Sequence, residues 1–368
     1  MYKNKDKKKI IFFMPSFEGG GVEKNIVLIA NYFIKKKLNI SLITASKDAK
    51  KKIDKRIHFI CPFNLSWNNH GRIPKYIICI LLLFKEYKND KNFKVFCFQG
   101  NILCIIFCKI FNLKVIIRPN SSPSGWSNNI LKKIVFTKIL SWADKIIVNS
   151  IEFKKQLKKY LNLNSVCIYN PLNTFEIKKL SKKKINFSFF NKNNFNLISI
   201  GRLVYQKDHI SLLKSINLIK KKIKVRLLIF GEGDQKTNLI NYIKKNNLNK
   251  IVKIKDRIEN PYPYILKSDI MILTSRFEGL PNVLLEGLAL NKFIISSNCP
   301  TGPNEILDNG KGGMLFKVGD FSDLGKKILK YKIQKNKINN LKKFGVRRLN
   351  RFDYKKNLEN YYNILNNL

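Results

Sequence analysis

Short apolar runs rich in β-branched residues alternate with longer amphipathic stretches along the whole chain. This alternation is typical of βα units, in which a helix follows each strand of a parallel sheet and crosses back over it. The length of 368 residues suits two domains that each bury a core of their own. The sequence therefore predicts an α/β fold with two series of strands.

The predicted strands fall into a first and a second series along the chain. The first series covers residues 10–14, 40–44, 58–61, 94–98, 115–118, 145–148 and 166–168, and the second covers 197–200, 225–230, 252–254, 270–273, 293–296 and 314–316. Between the series, a stretch that is poor in periodicity and rich in Asn, Lys, Ser and Phe is typical of a domain junction. We predict one Rossmann-like domain over 1–172, a linker over 173–194 and a second Rossmann-like domain over 195–350.

Lys and Arg outnumber Asp and Glu by 71 to 24, which gives a formal net charge of +47. Such an excess would fit a polyanionic partner, either nucleic acid or an anionic membrane. The Lys-rich runs, however, are spread over the chain, as at residues 7–9, 35–37 and 182–184. We therefore interpret the charge as a background on solvated faces and expect no nucleic-acid partner, although it raises the affinity for anionic lipid.

The cysteine and hydropathy patterns indicate in which cellular compartment the protein is expected and whether a helix could span a membrane. The seven cysteines form no C-x-x-C pair and no His/Cys cluster with zinc-like spacing, so we expect reduced core residues. The longest apolar run, residues 76–84, is far shorter than the roughly 20 residues of a spanning helix, and we expect a buried helix there rather than a docking surface. With no secretory leader pattern, the protein is expected in the cytoplasm. Basic residues at 35–37 and 50–56 predict weak, salt-sensitive binding to the inner face of the membrane.

The segment from Arg276 to Gly287 is the most informative part of the chain. Pro281 suits the first position of a helix, so free amides near Gly279 would point out of an N-terminus that attracts phosphate. Glu278 and Glu286 are spaced to reach different hydroxyls of one extended ligand. The same carboxylates could instead only stabilise a helix dipole, and this segment alone does not separate the two interpretations.

Three further segments favour a phosphate ligand. Arg202 and Lys207 follow a predicted strand of the second domain, at the edge where open α/β folds bind ligands. Phe230-Gly231-Glu232-Gly233 ends the next strand in a tight turn, but Lys236 breaks the G-x-G-x-x-G dinucleotide pattern. In the first domain, a loop containing Gly20 and Gly21 could approach phosphate with bare amides.

Together these segments closely resemble the family 4 retaining glycosyltransferases, and the likeness spans nearly the whole chain. The matching pieces are Gly20-Gly21, Asn170-Pro171, Gly201-Arg202 with Lys207, Phe230-Gly231-Glu232-Gly233, Ser268-Asp269, Glu278 with Glu286, and the loop from Asn298 to Glu305. The resemblance implies the GT-B fold, in which two Rossmann-like domains place parallel sheets facing each other across a cleft. The first domain would bind the acceptor and the second the nucleotide sugar, and the C-terminal helix, over 351–368, would cross back to the first domain.

The resemblance also implies roles for single residues. Arg202 and Lys207 would bind the donor diphosphate, Glu278 would bind hydroxyls of the transferred sugar, and these three are the predicted catalytic residues. Glu286 would bind the ribose. The other predicted donor-binding residues are Gly20, Gly21, Arg257, Gly279, Leu280, Pro281 and Asn282.

One departure from the family pattern lies at the end of a first-domain strand. Members often carry a His there that faces the donor sugar, whereas this chain has Arg118-Pro119-Asn120. Arg118, Asn120 and Ser121 could take over contacts to the sugar or the acceptor.

The resemblance implies transfer with retention of anomeric configuration, and no D-x-D motif indicates a metal. We expect no cofactor beyond the nucleoside-diphosphate sugar, which serves as donor substrate. The loop at 299–303 is similar to that of bacterial enzymes that use UDP-linked hexoses or N-acetylhexosamines, and the expected acceptor is a glycan or a polyprenyl-linked saccharide of the cell surface. A nucleoside-diphosphate-sugar epimerase of the same architecture is the alternative.

Overall fold

The structure, a computed structural model, describes residues 9–17, 20–63, 67, 70–120 and 130–367. The chain divides into two compact units, the first comprising Met1–Pro171 with Lys355–Leu368 and the second Leu172–Tyr354. Each unit contains one sheet, and all the described strand pairs in both sheets are parallel. The predicted α/β class is confirmed, and every strand that the alternation predicted is present.

The first unit is built on a seven-stranded sheet in the order β3-β2-β1-β4-β5-β6-β7. Its strands are β1 (Lys9–Phe13), β2 (Ile40–Ile43), β3 (His58–Ile60), β4 (Phe93–Cys97), β5 (Lys114–Ile117), β6 (Lys145–Val148) and β7 (Val166–Cys167). Its helices before the second unit are α1 (Gly21–Lys35), α2 (Arg72–Asn89), α3 (Asn101–Ile110), α4 (Ile130–Leu140) and α5 (Ile151–Leu161).

Alternate residues of the first sheet point to opposite faces, as the period of two requires. On one face, side chains such as Val95 and Ile117 form a core with Leu83 of α2, Cys108 of α3 and Phe153 of α5. The helices that follow β3, β4 and β6 therefore cover the same side of the sheet.

The second unit is built on a six-stranded sheet in the order β10-β9-β8-β11-β12-β13. Its elements are α6 (Thr174–Ser181), β8 (Phe195–Ile200), α7 (His209–Ile219), β9 (Val225–Phe230), α8 (Lys236–Lys245), β10 (Val252–Lys255), α9 (Tyr262–Lys267), β11 (Ile270–Leu273), α10 (Asn282–Ala289), β12 (Phe293–Ser297), α11 (Pro303–Ile306), β13 (Met314–Phe316) and α12 (Phe321–Arg347). Helix α12 is kinked at Gln334 and stacks Tyr331 on Phe293 of β12, with 4.2 Å between the ring centroids.

The last helix, α13 (Tyr354–Asn366), belongs to the first unit from Lys355 onward. Phe33 of α1 meets Tyr362 of α13 edge to face, and the Tyr32 hydroxyl donates to the Glu359 carboxylate. The implied return of the C-terminal helix is thus seen in the packing of α13 on α1.

Two expectations differ from the structure in detail. Residues 173–194, predicted as a linker, include helix α6 and fall in the second unit; a helix of eight residues shows too few turns for its periodicity to be recognised. Residues 76–84, predicted to be buried, lie in α2, and this helix exposes Ile77 and Leu81. None of the described helices has the length and apolar character that crossing a bilayer demands.

Five of the seven cysteines are buried, as predicted for core residues, and two are not. All seven are free thiols, and the two that are not buried, Cys61 and Cys167, are half-buried.

Candidate active site

The candidate site lies where β8 and β11 end, at one edge of the second sheet. These strands are neighbours, and both lead at their carboxyl ends into loops that carry predicted residues. Gly201 and Arg202 follow β8, and residues 274–281 follow β11. Because parallel strands end at the same edge, the two loops meet there.

The two loops bring together Lys207 and Glu278, two of the three predicted catalytic residues. The Lys207 ammonium donates to Oε1 of Glu278, and the hydroxyl of Ser275 donates to the same oxygen over 2.6 Å. Glu278 is 8% exposed, so its charge is stabilised by these contacts rather than by bulk water. A positive group and an acceptor oxygen thus stand side by side in a nearly dry setting.

The loop after β11 is fixed to a short 3-10 turn, Tyr205–Lys207, by hydrogen bonds in both directions. The Arg276 amide donates to the Gln206 carbonyl and the Gln206 side chain donates to the Phe277 carbonyl, both over 2.8 Å. Thr274 donates its hydroxyl to the Lys207 carbonyl over 2.8 Å. These bonds hold the backbone that carries Lys207 in a set position relative to Glu278.

Asp208 and Arg276 add an ion pair that sequence reasoning missed. Asp208 has a left-handed backbone, φ 49°, and its carboxylate is 1% exposed and lies 3.2 Å from the Arg276 guanidinium. The guanidinium lies 4.5 Å from the centroid of the Tyr205 ring. The only sequence signal was the position of both residues next to predicted ones, which does not show that they meet.

Arg202 is exposed at the same edge of the sheet. Its Nη2 lies 3.4 Å from Oε1 of Gln206, the residue that also anchors the loop after β11. Arg202 is therefore placed near the Lys207 turn but outside the Lys207–Glu278 contact.

Glycines allow the loops at this edge to approach one another closely. A Cβ on Gly231 would lie 2.0 Å from the Gly201 carbonyl oxygen, and one on Gly302 would lie 2.2 Å from that of Gly279. Gly302 also has φ 77°, a conformation that side chains rarely adopt. In the described structure these glycines serve contacts between loops, and the Thr301 hydroxyl likewise donates to the Glu278 carbonyl.

Helix α10 begins one residue later than predicted. Pro281 is its N-cap, with an extended backbone, so Asn282 is the first helical residue. Gly279, Leu280 and Pro281 are buried in the loop that enters the helix. Glu286, also buried, lies in the second turn with Oε1 3.4 Å from the Tyr262 hydroxyl.

Two titratable groups beside the pair are held neutral. Burial, and to a lesser extent the charge of Lys207, lowers the pKa of His209 to about 3. Burial, and then the charge of Glu278, raises the pKa of the Cys299 thiol to about 12. Neither group is therefore suited to exchange a proton with a ligand near neutral pH.

The remaining predicted donor residues stay predictions. Gly20 is the N-cap of α1 and Gly21 its first residue, so both lie at a helix N-terminus of the first unit. Glu18 of the same loop lies outside the described residues. Arg257 follows β10 in the second unit, next to Asp256, which forms an ion pair of 2.5 Å with Lys236.

Arg118 has a different setting from the one considered for it. Its side chain is 0% exposed, and its Nε donates to the Tyr361 hydroxyl over 2.9 Å. Its two Nη atoms donate to Asn120 and Asn170, each over 2.6 Å. These contacts tie Arg118 to α13 and to the end of the first unit, which corrects the idea that it reaches out to a sugar or an acceptor; Ser121 lies outside the described residues.

Comparison with known proteins defines the class of this fold and site. Residues 178–348 match the family described as Glycosyl transferases group 1. The Anabaena protein HepE, solved in complex with UDP-glucose, is 18% identical, with a TM-score of 0.79 over 98% of this chain and 100% of its own. The chain is a glycosyltransferase with the GT-B fold.

Relatives narrow the class further. A glycosyltransferase of Methanocaldococcus jannaschii, itself uncharacterized, is 30% identical over 64% of this chain, and the match spans 62% of that relative. The N-acetylgalactosamine-N,N'-diacetylbacillosaminyl-diphospho-undecaprenol 4-alpha-N-acetylgalactosaminyltransferase of Campylobacter jejuni is 25% identical over 84% of this chain and 86% of its own. The amylovoran biosynthesis glycosyltransferase AmsD of Erwinia amylovora is 29% identical over 65% and 69%. Together with the family match, these relatives support a GT4-like glycosyltransferase.

Proposed function

We propose that this protein transfers a hexose or N-acetylhexosamine from a UDP-linked donor to a glycan or polyprenyl-linked acceptor, with retention of configuration and without a metal ion. The acceptor would be met at the inner face of the membrane. The observation that carries the proposal is the buried contact between Lys207 and Glu278.

The contact supplies the two kinds of group that sugar transfer from a diphosphate needs. When the bond between the sugar and the diphosphate breaks, negative charge develops on the leaving phosphate, and a fixed ammonium stabilises it. An ammonium has three donors, of which Glu278 takes one. The Glu278 carboxylate, for its part, accepts hydrogen bonds from hydroxyls of the transferred sugar, and Arg202 adds a second positive charge at this edge of the sheet.

The proton and the electrons balance without a protein base. The acceptor hydroxyl oxygen forms the new bond to the anomeric carbon as the old carbon–oxygen bond breaks, and the leaving diphosphate oxygen takes the acceptor's proton. The neutral states of His209 and Cys299 agree with this assignment, because neither is poised to exchange a proton near neutral pH.

The choice of donor and acceptor is supported by the similar proteins. HepE was solved with UDP-glucose, and the name of the Campylobacter relative specifies an N-acetylgalactosaminyl group and a diphospho-undecaprenol acceptor.

Among the described residues, no group of three or more acidic, His or Cys side chains is arranged to hold a metal ion.

A donor screen by mass spectrometry tests the proposal. The purified protein is incubated with UDP- and GDP-linked hexoses and N-acetylhexosamines, with and without polyprenyl-linked saccharides and with and without a chelator. We expect release of UDP and extension of an acceptor, both insensitive to the chelator. A preference for GDP donors, or activity that only a divalent metal restores, would contradict the proposed donor or mechanism. Conversion of one sugar epimer into another with donor alone would instead establish the epimerase.

A further inference from the structure

Helices α2, α3 and α4 of the first unit carry an apolar outer surface that the proposed chemistry does not use. α2 packs beside α3, and α3 packs beside α4, so the three outer surfaces adjoin. We call the exposed large apolar side chains of these helices the apolar face, which consists of Ile73, Ile77, Leu81, Leu103, Ile110, Leu131, Ile134 and Val135.

Helix α2 shows how such a face arises. Ile73, Ile77 and Leu81 follow one another at a spacing of four residues and form one outward stripe, whereas Cys79 and Leu83 are fully buried against the sheet. The helix therefore has two apolar stripes. Only the inner one is needed to close the core.

Helices α3 and α4 extend the outward stripe sideways. Ile110 of α3 is 70% exposed, and Leu131, Ile134 and Val135 of α4 are between 53% and 73% exposed. In the second unit, the exposed large apolar side chains lie singly on separate elements, as with Leu218 on α7, Leu266 on α9 and Ile333 on α12. Single exposed apolar residues are ordinary, but a continuous group marks an interaction surface.

The fully exposed charged side chains on these three helices are all positive. Lys85, Lys109, Lys133 and Lys138 are exposed on the same three helices. Glu86 is the only acidic residue in the sequences of these helices, and it is paired with Lys9 over 2.5 Å. A second copy of the chain would bring like charges together here, whereas an anionic lipid surface complements them.

We propose that the apolar face is the surface by which this protein docks on an anionic bilayer. The aliphatic side chains enter the boundary between headgroups and acyl chains, while the four lysines contact lipid phosphates. The proposal deepens, and rests on, the proposed transfer to a polyprenyl-linked acceptor. It also replaces the prediction that residues 76–84 form a buried helix.

Flotation with vesicles tests the apolar contribution. A triple variant, Ile77→Gln with Leu81→Gln and Ile134→Gln, should bind vesicles of phosphatidylglycerol and phosphatidylcholine at least about tenfold more weakly than wild type, because three aliphatic side chains no longer leave water. The matched control is Leu218→Gln with Leu266→Gln and Ile333→Gln, which changes side chains of 44% to 79% exposure in the second unit. This control should bind as wild type does.

The charge contribution has its own matched pair. Changing Lys85, Lys109, Lys133 and Lys138 to Gln should weaken binding to the same vesicles and flatten its salt dependence. Changing the exposed Lys221, Lys222, Lys244 and Lys245 to Gln removes the same net charge from the second unit. If both sets weaken binding equally, the net charge and not this surface is responsible, and the proposal is overturned.

Two further readouts separate the outcomes. If the apolar triple variant binds vesicles as tightly as wild type does, the proposed docking surface is wrong. It is also wrong if analytical ultracentrifugation shows that wild type is a dimer and that this variant is a monomer. UDP release from donor is measured on the same samples and should not change. If the variants lose vesicle binding as expected but the wild type never extends a lipid-linked acceptor, the surface stands and the proposed acceptor fails.

Discussion

At the scale of single residues, Glu278 is the point on which the site depends. Its carboxylate accepts from Lys207 and Ser275, and its carbonyl accepts from Thr301. A buried charge held in this way is stable only while its partners remain, because removing one partner leaves the charge without compensation. The function and the local stability of this loop are therefore linked through one side chain.

Replacing Lys207 should show that function and stability are linked at Glu278. We expect Lys207→Ala to lower kcat/KM at least about 100-fold, because the leaving diphosphate loses its ammonium, and also to lower the free energy of unfolding, because Glu278 loses its partner. In the double variant with Glu278→Gln, most of the stability loss should disappear, with a coupling of about 0.5–3 kcal/mol. Steady-state kinetics and urea unfolding of both single variants and the double variant measure these effects.

Arg202 and Lys236 provide the controls for this comparison of single and double variants. Arg202→Ala should lower turnover by a similar factor but leave unfolding unchanged, because Arg202 is exposed. Lys236→Ala breaks the exposed pair with Asp256 and should change neither quantity by much. Additive stability effects of the Lys207 and Glu278 exchanges would show that the contact does not stabilise the fold.

His209 should make stability depend on pH. Its pKa is about 3 in the folded chain and near 6.5 when unfolded, so the unfolded state binds more protons between these values. The contribution of neutral His209 to the free energy of unfolding is fully present above about pH 6.5 and is lost as the pH falls toward 3. Between about pH 7.5 and about pH 5, we expect wild type to lose about 2 kcal/mol more than His209→Leu in urea unfolding.

An exchange of His58, which is exposed on β3, provides the comparison. His58→Gln should keep the pH dependence of wild type. A His209→Leu variant that loses as much stability at acid pH as wild type would show that another group is responsible.

At the scale of elements, the hydroxyl of Tyr361 is one of the groups that tie helix α13 to the first sheet. The Tyr361 hydroxyl accepts from Arg118 and lies 3.4 Å from the Ile168 carbonyl, so it connects the helix to the residues that follow β5 and β7. Arg118 has no water to replace a lost partner, because its side chain is fully buried.

Removing that hydroxyl should loosen the first unit. Tyr361→Phe keeps the ring but leaves a buried Arg118 donor without its acceptor, which should cost about 1–3 kcal/mol of unfolding free energy. Urea unfolding followed by circular dichroism measures the loss. Tyr362→Phe, which keeps the edge-to-face contact with Phe33, is the control and should change stability by less. Equal stability of the Tyr361 variant and wild type would show that the buried guanidinium does not need α13.

At the scale of the whole molecule, the sequence predicts the sheets better than the site. Strands such as β9 and β11 were predicted at their observed bounds, because a short run of mostly apolar residues is a local signal. The contact of Lys207 with Glu278 joins residues far apart in the sequence and arises only because β8 and β11 are neighbours. The Asp208–Arg276 pair and the outward stripe of α2 were missed for a similar reason, since periodicity shows that a helix has apolar stripes but not which stripe meets the sheet.

The first unit is discontinuous in sequence, since residues 172–354 are inserted between Pro171 and Lys355. On the ribosome, the nascent chain therefore exposes the seven strands of the first sheet before α13 exists, and Tyr361 emerges after the whole second unit has been synthesised. During that interval Arg118 has no hydroxyl acceptor, and the side of the sheet that α13 covers remains open. The second unit, which is continuous, is complete at Tyr354, so it is the first of the two units whose whole sequence is available for folding.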